Sequence, residues 1–174
     1  MTENIEIKTV TIKDLDQLVQ ISISTFYETF SQENTEENIQ KHIEESYSAE
    51  KILTELNNPN SQFYFVSFRK KIVGYLKINQ LDAQTEKIGS EALEIERIYI
   101  KKNYQRLGIG QKLIQFTIDH ARINSKYLIW LGVWLQNYSA IKFYKKLGFI
   151  EFGQHIFTLG NDEQLDLLMK LELT

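Results

Sequence analysis

Gln105-Arg106-Leu107-Gly108-Ile109-Gly110-Gln111-Lys112 lies between a strand-like run, Ala92 to Ile100, and a helical run, Gln111 to Ile123. Glycine permits positive φ and lets a ligand approach the backbone closely. The N–H groups of a helix's first turn have no intrahelical partners, so they form an anion site that the helix dipole reinforces. A phosphate or pyrophosphate is the natural occupant, with Arg106 or Lys112 as charge partner. A dinucleotide fingerprint requires a small residue where Leu113 stands and an acidic residue at the end of the next strand, which Tyr127 to Trp134 lacks. A P-loop requires Gly-Lys-Ser/Thr, whereas Gly110 is followed by Gln111-Lys112-Leu113. The pattern Gln/Arg-x-x-Gly-x-Gly/Ala is fitted in full. Taken alone, these six residues leave a plain strand-to-helix turn open.

The flanking periodicities predict a mixed α/β fold. Ile5, Ile7 and Thr9 alternate with polar residues as in a strand. Thr11 and Asp14 form a capping-box pattern ahead of a helix carrying Leu15, Leu18, Val19, Ile21 and Phe26. Residues 35–56 read as one broken helix or two short ones. The only proline, Pro59, sits in the turn Asn57-Asn58-Pro59-Asn60, a loop within one domain. Phe63–Phe68 and Ile72–Leu81 flank Arg69-Lys70-Lys71 as a hairpin. A polar loop, 82–92, precedes the strand Ala92–Ile100. Tyr127–Trp134 is apolar at nearly every position, as in a strand covered on both faces. A helix from Ser139 to Leu147 is closed by Gly148. Phe149–Phe157 and Leu165–Leu173 form a last hairpin around Gly160-Asn161-Asp162. The predicted order is β-α-α-β-β-β-α-β-α-β-β, mostly antiparallel. The strand-helix-strand unit at its centre should be parallel and right-handed.

The 174 residues, 43% apolar and 25% charged, suit one globular domain spanning 1–174. There is no cysteine, which excludes a disulfide scaffold, a zinc ribbon and a cysteine nucleophile together. Twenty basic against 23 acidic residues give a net charge of −3. That sign disfavours nucleic acid and tolerates cationic partners. The start MTENIEIKTV lacks the pattern of a secretion signal, and no run approaches the ~18 apolar residues of a membrane span. The expected location is the cytoplasm. His42, His120 and His155 fall on separate elements without ligand spacing, so no metal is expected.

A second segment, Asn137-Tyr138-Ser139-Ala140-Ile141-Lys142-Phe143-Tyr144-Lys145-Lys146-Leu147-Gly148-Phe149, follows the buried strand. Together with the glycine turn it resembles the GNAT superfamily of N-acetyltransferases, whose downstream motif is Asn-x-x-Ala-x-x-Phe-Tyr-x-x-x-Gly-Phe. The element order agrees across residues 5–173. Leu93–Ile100, Ile129–Trp134 and Thr25-Phe26 are similar to the PaiA-type bacterial spermidine/spermine acetyltransferases. The resemblance implies two strands that splay apart to admit acetyl-CoA as cosubstrate. Backbone groups of Ile98, Tyr99 and Ile100 would pair with its pantetheine arm. The turn Arg106, Leu107, Gly108, Ile109, Gly110 and Gln111 would hold the pyrophosphate. Asn137 would bond the pantetheine, and Lys146 would reach the phosphates. Tyr144 would be the general acid, although its stripe with Ala140, Phe143 and Leu147 is also what a core-facing helix shows.

Glu94 stands where histone-type members carry a glutamate base, and Glu96 shares its strand parity unless a bulge intervenes. Ordered water is the alternative base, leaving both carboxylates an electrostatic role. The expected reaction is direct acetyl transfer to a primary amine. Spermidine or spermine is the favoured acceptor, and Glu28, Glu33, Asp82, Glu86 and Glu91 are expected to border the cleft with Glu94 and Glu96. A protein N-terminus or another amine, or a non-catalytic acyl-CoA sensor, are the rival readings. A monomer or homodimer is expected, without membrane or nucleic-acid partners.

Overall fold

The computed structural model describes residues 4–174; residues 1–3, the beginning of the stretch read as lacking a leader and of the expected 1–174 domain, lie outside it. Its elements are β1 (Ile5–Thr9), α1 (Leu15–Phe30), α2 (Glu36–Ser46), α3 (Ala49–Leu56), β2 (Ser61–Phe68), β3 (Lys71–Gln80), β4 (Ala92–Ile100), α4 (Ile109–Ile123), β5 (Leu128–Trp134), α5 (Tyr138–Lys146), β6 (Ile150–Leu159) and β7 (Asp162–Glu172). The mixed α/β class and the strand order stand as expected. Residues 35–56 form two short helices, one of the two forms expected, and divide at Tyr47-Ser48, which adds one helix to the predicted order. There the Ser48 hydroxyl accepts a bond from the Lys51 N–H at 3.3 Å and starts α3. Asp14 caps as read, its carboxylate accepting from the Thr11 N–H at 2.9 Å, but it closes a 3-10 turn, Ile12–Asp14, before α1 begins.

One seven-stranded sheet runs β1-β2-β3-β4-β5-β7-β6. All neighbours are antiparallel except β4 and β5. Ile129, Leu131 and Val133 of β5 join Leu93 and Ile95 of β4 under Ile109, Leu113 and Ile114 of α4 and Tyr144 of α5. The opposite face carries Phe63, Phe65 and Tyr75 against Leu18, Phe26 and Phe30 of α1, with Ile39 and Ile52 of α2 and α3. On the other face of β5, Trp130 packs with Ile88 and Phe152 and Trp134 meets Phe30 of α1, so β5 is covered on both faces and apolar at nearly every position.

Gly148, at φ 96°, ends α5 with the Phe149 N–H bonded to the Tyr144 carbonyl at 3.1 Å, the wrap-around bond of a glycine stop. Between β3 and β4 the register slips. Lys77 opposes Arg97, Ile78 opposes Ile95, and Glu96 is the extra residue. That bulge changes the geometry of the two carboxylates singled out on β4.

Candidate active site

β4 and β5 are paired only from Ala92↔Leu128 to Ile95↔Leu131. Past that point β4 pairs with β3 alone, at Leu76↔Ile98, Tyr75↔Tyr99 and Gly74↔Ile100, and β5 with β7 alone. Each strand therefore leaves a row of backbone donors and acceptors facing the gap. The gap opens into a cleft of about 1660 Å³ lined by residues from α5 to α1.

At one end of this cleft lies the glycine turn. Arg106 (φ 63°) and Gly108 (φ 81°) both take left-handed conformations, and Gly108 is the residue that caps α4. No side chain caps the first turn of α4, so its leading N–H groups remain available to a ligand. Open space lies where a Cβ of Gly108 would stand. Gly110 serves packing instead. A Cβ there would come within 3.2 Å of Phe143 Cζ, so its absence lets α4 and α5 pack closely. Alternating backbone handedness ahead of a helix N-terminus makes an anion-binding concavity, and this turn fits a pyrophosphate.

Arg106, Gly108, Gly110 and Gln111 line the cleft, as do Ile98, Tyr99, Ile100, Asn137, Tyr144 and Lys146. The side chains of Leu107 and Ile109 do not: Leu107 is exposed elsewhere, and Ile109 is buried in the core beneath α4. Only their main chain can serve an anion. Asn137 caps α5, its Oδ1 accepting from the Ala140 N–H at 3.2 Å, which leaves its Nδ2 for a ligand. Tyr144 is 7% exposed, and its hydroxyl has no hydrogen-bond partner among the described residues although the residue lines the cleft. Burial pushes its phenol well above the ordinary range, so it carries its proton at neutral pH.

Glu94 and Glu96 both line the cleft in unlike surroundings. Glu94 is 2% exposed. Its Oε2 accepts from the Thr85 N–H at 2.8 Å and from Asn79 Nδ2 at 3.1 Å, and its Oε1 accepts from the Thr85 hydroxyl. Burial raises its pKa despite these bonds. Asn79 Nδ2 also donates to Glu96 Oε2 at 2.6 Å, so the bulge still brings both carboxylates to one amide. Glu96 is ion-paired with Lys77 and, at 3.4 Å, with Arg97. Although burial opposes it, the positive Arg97 and Lys77 side chains hold its pKa below the usual value. Glu55 closes the network with a two-pronged contact to Arg97 at 2.8 and 3.0 Å.

Toward α1, Glu28, Glu33 and Glu86 border the cleft as expected. Asp82 and Glu91 do not. Asp82 is drawn off by Asn60 Nδ2 at 2.6 Å, and Glu91 is exposed away from the opening. Glu28 is engaged by the Lys102 N–H at 2.8 Å. Phe30 packs on Trp134 and Phe157 with ring centroids 5.8 and 6.3 Å apart, giving this end an aromatic wall. Trp130 is core, its Nε1 donating to Gln84 at 2.7 Å. His42, Arg97, His155 and Asp166 also line the cleft and were not singled out in the sequence as site residues. They carry no local signal there, because their partners lie on other elements.

Residues 15–149 match the Acetyltransferase (GNAT) family. The chain belongs to that family. It is 40% identical over 169 residues, 97% of this chain and 98% of the relative, to an uncharacterized N-acetyltransferase from the pepI 3' region of Lactobacillus delbrueckii subsp. lactis. It is 29% identical to the spermidine N(1)-acetyltransferase of Thermoplasma acidophilum, across 84% of this chain and 88% of that protein. Its fold superposes on the PaiA N-acetyltransferase of Thermoplasma acidophilum, solved in complex with coenzyme A, with a TM-score of 0.79 at 24% identity, covering 97% and 98% of the two chains. As a GNAT protein it is an acetyl-CoA-dependent N-acetyltransferase, and the fit of the glycine turn to a pyrophosphate agrees with that cosubstrate. No helix among the described residues is long and apolar enough to cross a membrane.

Proposed function

We propose that the chain is a single catalytic domain that acetylates a primary amine of a polyamine, spermidine or spermine, by direct attack. The observation that carries the reading is the end of the cleft that combines Glu33, Glu86 and Asp166 with the aromatic wall of Phe30, Trp134 and Phe157. Carboxylates hold ammonium groups, and aromatic faces attract cations while covering methylene segments. The similarity to the spermidine N(1)-acetyltransferase of Thermoplasma acidophilum supports the same acceptor.

In this reading the main chain of Arg106 to Gln111 holds the pyrophosphate, with Lys146 at the rim. Backbone groups of Ile98, Tyr99 and Ile100 take the pantetheine arm as a partial replacement for the missing strand. Asn137 Nδ2 donates to it from the mouth of β5. Bound there, acetyl-CoA supplies an activated acetyl group. No cysteine is present to take it first, so the amine nitrogen attacks directly. Tyr144 Oη delivers a proton to the departing thiolate. Glu96, neutralised by two cations, acts electrostatically, and Glu94, filled by three donors, holds the loop between β3 and β4 through Thr85.

Steady-state kinetics with acetyl-CoA across polyamines, monoamines, aminoglycosides and peptide N-termini test the acceptor. Spermidine and spermine should show the highest kcat/KM, and equal turnover of simple monoamines would refute the polyamine reading. Tyr144→Phe keeps the packed ring and removes only the hydroxyl. It should lower kcat by ~10²–10⁴ with little change in thermal stability or acetyl-CoA affinity. An unchanged kcat with chemistry rate-limiting would return Tyr144 to a purely structural role.

A further inference from the structure

An ammonium with an ordinary pKa of ~10.4 costs about 4.6 kcal/mol to deprotonate at pH 7, so the acceptor needs a proton-accepting group. Glu96 is occupied by Lys77 and Arg97, and Glu94 by Thr85 and Asn79. His155 is placed otherwise. It projects from β6 over Gly132, the first β5 residue past the last β4–β5 pair. A Cβ at Gly132 would stand 3.1 Å from His155 Nε2 and 3.3 Å from Asp166 Oδ2, so the glycine makes the room in which this pair sits. His155 Nδ1 lies 3.0 Å from Glu86 Oε1, and Nε2 lies 3.3 Å from Asp166 Oδ2.

Asp166 Oδ1 is buried and has no hydrogen-bond partner among the described residues, although Asp166 lines the cleft. A buried carboxylate oxygen left unpaired is costly, and an N–H donor from a ligand relieves that cost. Resting on the acetyltransferase reading above, we propose that His155 takes the proton of the acceptor's ammonium at Nε2, with Glu86 fixing the ring through Nδ1–H and Asp166 exchanging its contact with Nε2 for a second N–H of the same ammonium.

The proton crosses from the acceptor nitrogen to Nε2 and leaves a neutral amine with its lone pair. The resulting imidazolium is balanced by Glu86 and Asp166. The amine nitrogen bonds the acetyl carbonyl carbon as the carbon–sulfur bond breaks, and the thiolate takes its proton from Tyr144 Oη. The new amide nitrogen sheds its remaining surplus proton to solvent, and one proton passed through solvent from the imidazolium to the phenolate resets both residues. Glu86 on the 81–91 loop and Asp166 on β7 face the ring, and both raise its pKa against the effect of burial. On β4 and α5, Tyr99 and Tyr144 line the same cleft. Glu94 serves the same arrangement indirectly, since by anchoring Thr85 it holds the adjacent Glu86 beside His155.

The test compares kcat and kcat/KM for spermidine against pH in wild type, His155→Gln, Glu86→Gln and Asp166→Asn, with acetyl-CoA affinity from calorimetry. His155→Gln should lower kcat by ~10²–10⁴ and abolish the acidic limb of the profile, with acetyl-CoA affinity retained. Glu86→Gln should move that limb to lower pH, because the imidazolium loses a carboxylate. Asp166→Asn should move it the same way and raise KM for the amine. His155→Gln retaining the wild-type kcat and acidic limb, or Glu86→Gln leaving the limb in place, would overturn the assignment while the acetyltransferase reading stood. A wild type that acetylates no amine in the panel would overturn both. An NMR titration of the His155 ring without acetyl-CoA separates the two claims: spermidine should lower its pKa, and no change on adding spermidine refutes the contact.

Discussion

Gly108 and Gly110 are separated by one residue and are glycine for different reasons. Gly108 needs its backbone angle, φ 81°, with open space around it. Gly110 needs its missing side chain, because Phe143 of α5 is already there. Gly108→Val therefore meets no neighbour but forces a β-branched residue into the left-handed region, at a cost of roughly 1–2 kcal/mol. Relief of that strain would turn the first N–H groups of α4 away from the anion. The expected result in calorimetry is a sharp loss of acetyl-CoA affinity with the fold retained. Binding equal to the parent would show that the pyrophosphate lies elsewhere.

Helices α1 and α2 wall one end of the cleft, and a histidine joins them. His42 of α2 stacks on Phe26 of α1 with ring centroids 4.5 Å apart and meets Phe157 of β6 edge-on at 5.4 Å. Burial, aided by the nearby positive Arg97, lowers its pKa to about 4. The unfolded chain protonates His42 near its ordinary pKa of ~6.5, while the folded chain resists protonation. The contribution of His42 to stability is thus full above pH ~6.5 and is lost as pH falls from there toward about 4. His155, with a raised pKa, contributes with the opposite sign, so the His42 effect is read as a difference. His42→Phe keeps an aromatic ring in the stack and should flatten the fall in Tm between pH 7 and 4 relative to wild type. Parallel Tm curves would mean that His42 is not held neutral.

At the scale of the whole molecule, two chemistries are separated along one cleft. Backbone donors and Lys146 occupy the end near α4 and α5, and carboxylates and aromatic rings occupy the end near α1 and β6. The overall charge of −3 has the same sign as the acceptor end. Glu33 is exposed and Glu86 partly so, and charges of that kind are screened over roughly 8 Å at physiological ionic strength. Raising salt should increase KM for spermine more than for a monoamine of similar length, with kcat less affected. Equal salt sensitivity for the two acceptors would mean that these carboxylates do not steer the substrate.

The glycine turn, the Asn137–Phe149 segment and the strand and helix periods were legible in the chain itself, because each is a contiguous run whose backbone demands are local. From them came the family, the parallel pair and the placing of Asn137, Tyr144 and Lys146 at one opening. The starts of α4 and α5 shifted by one or two residues, and periodicity left open whether residues 35–56 divide, since capping decides such boundaries more than periodicity does. The acceptor end depended on long-range register. Arg97 meets Glu55 across 42 residues and His155 meets Glu86 across 69. The β3–β4 bulge at Glu96 arises between two strands, so alternation within β4 could not announce it. Exposed acids and buried, paired acids read alike along a chain. Folding alone assigned Glu96 to Lys77 and Arg97, drew Asp82 and Glu91 away from the cleft, and set His155 between two carboxylates over Gly132, because burial and charge pairing are properties of neighbours in space.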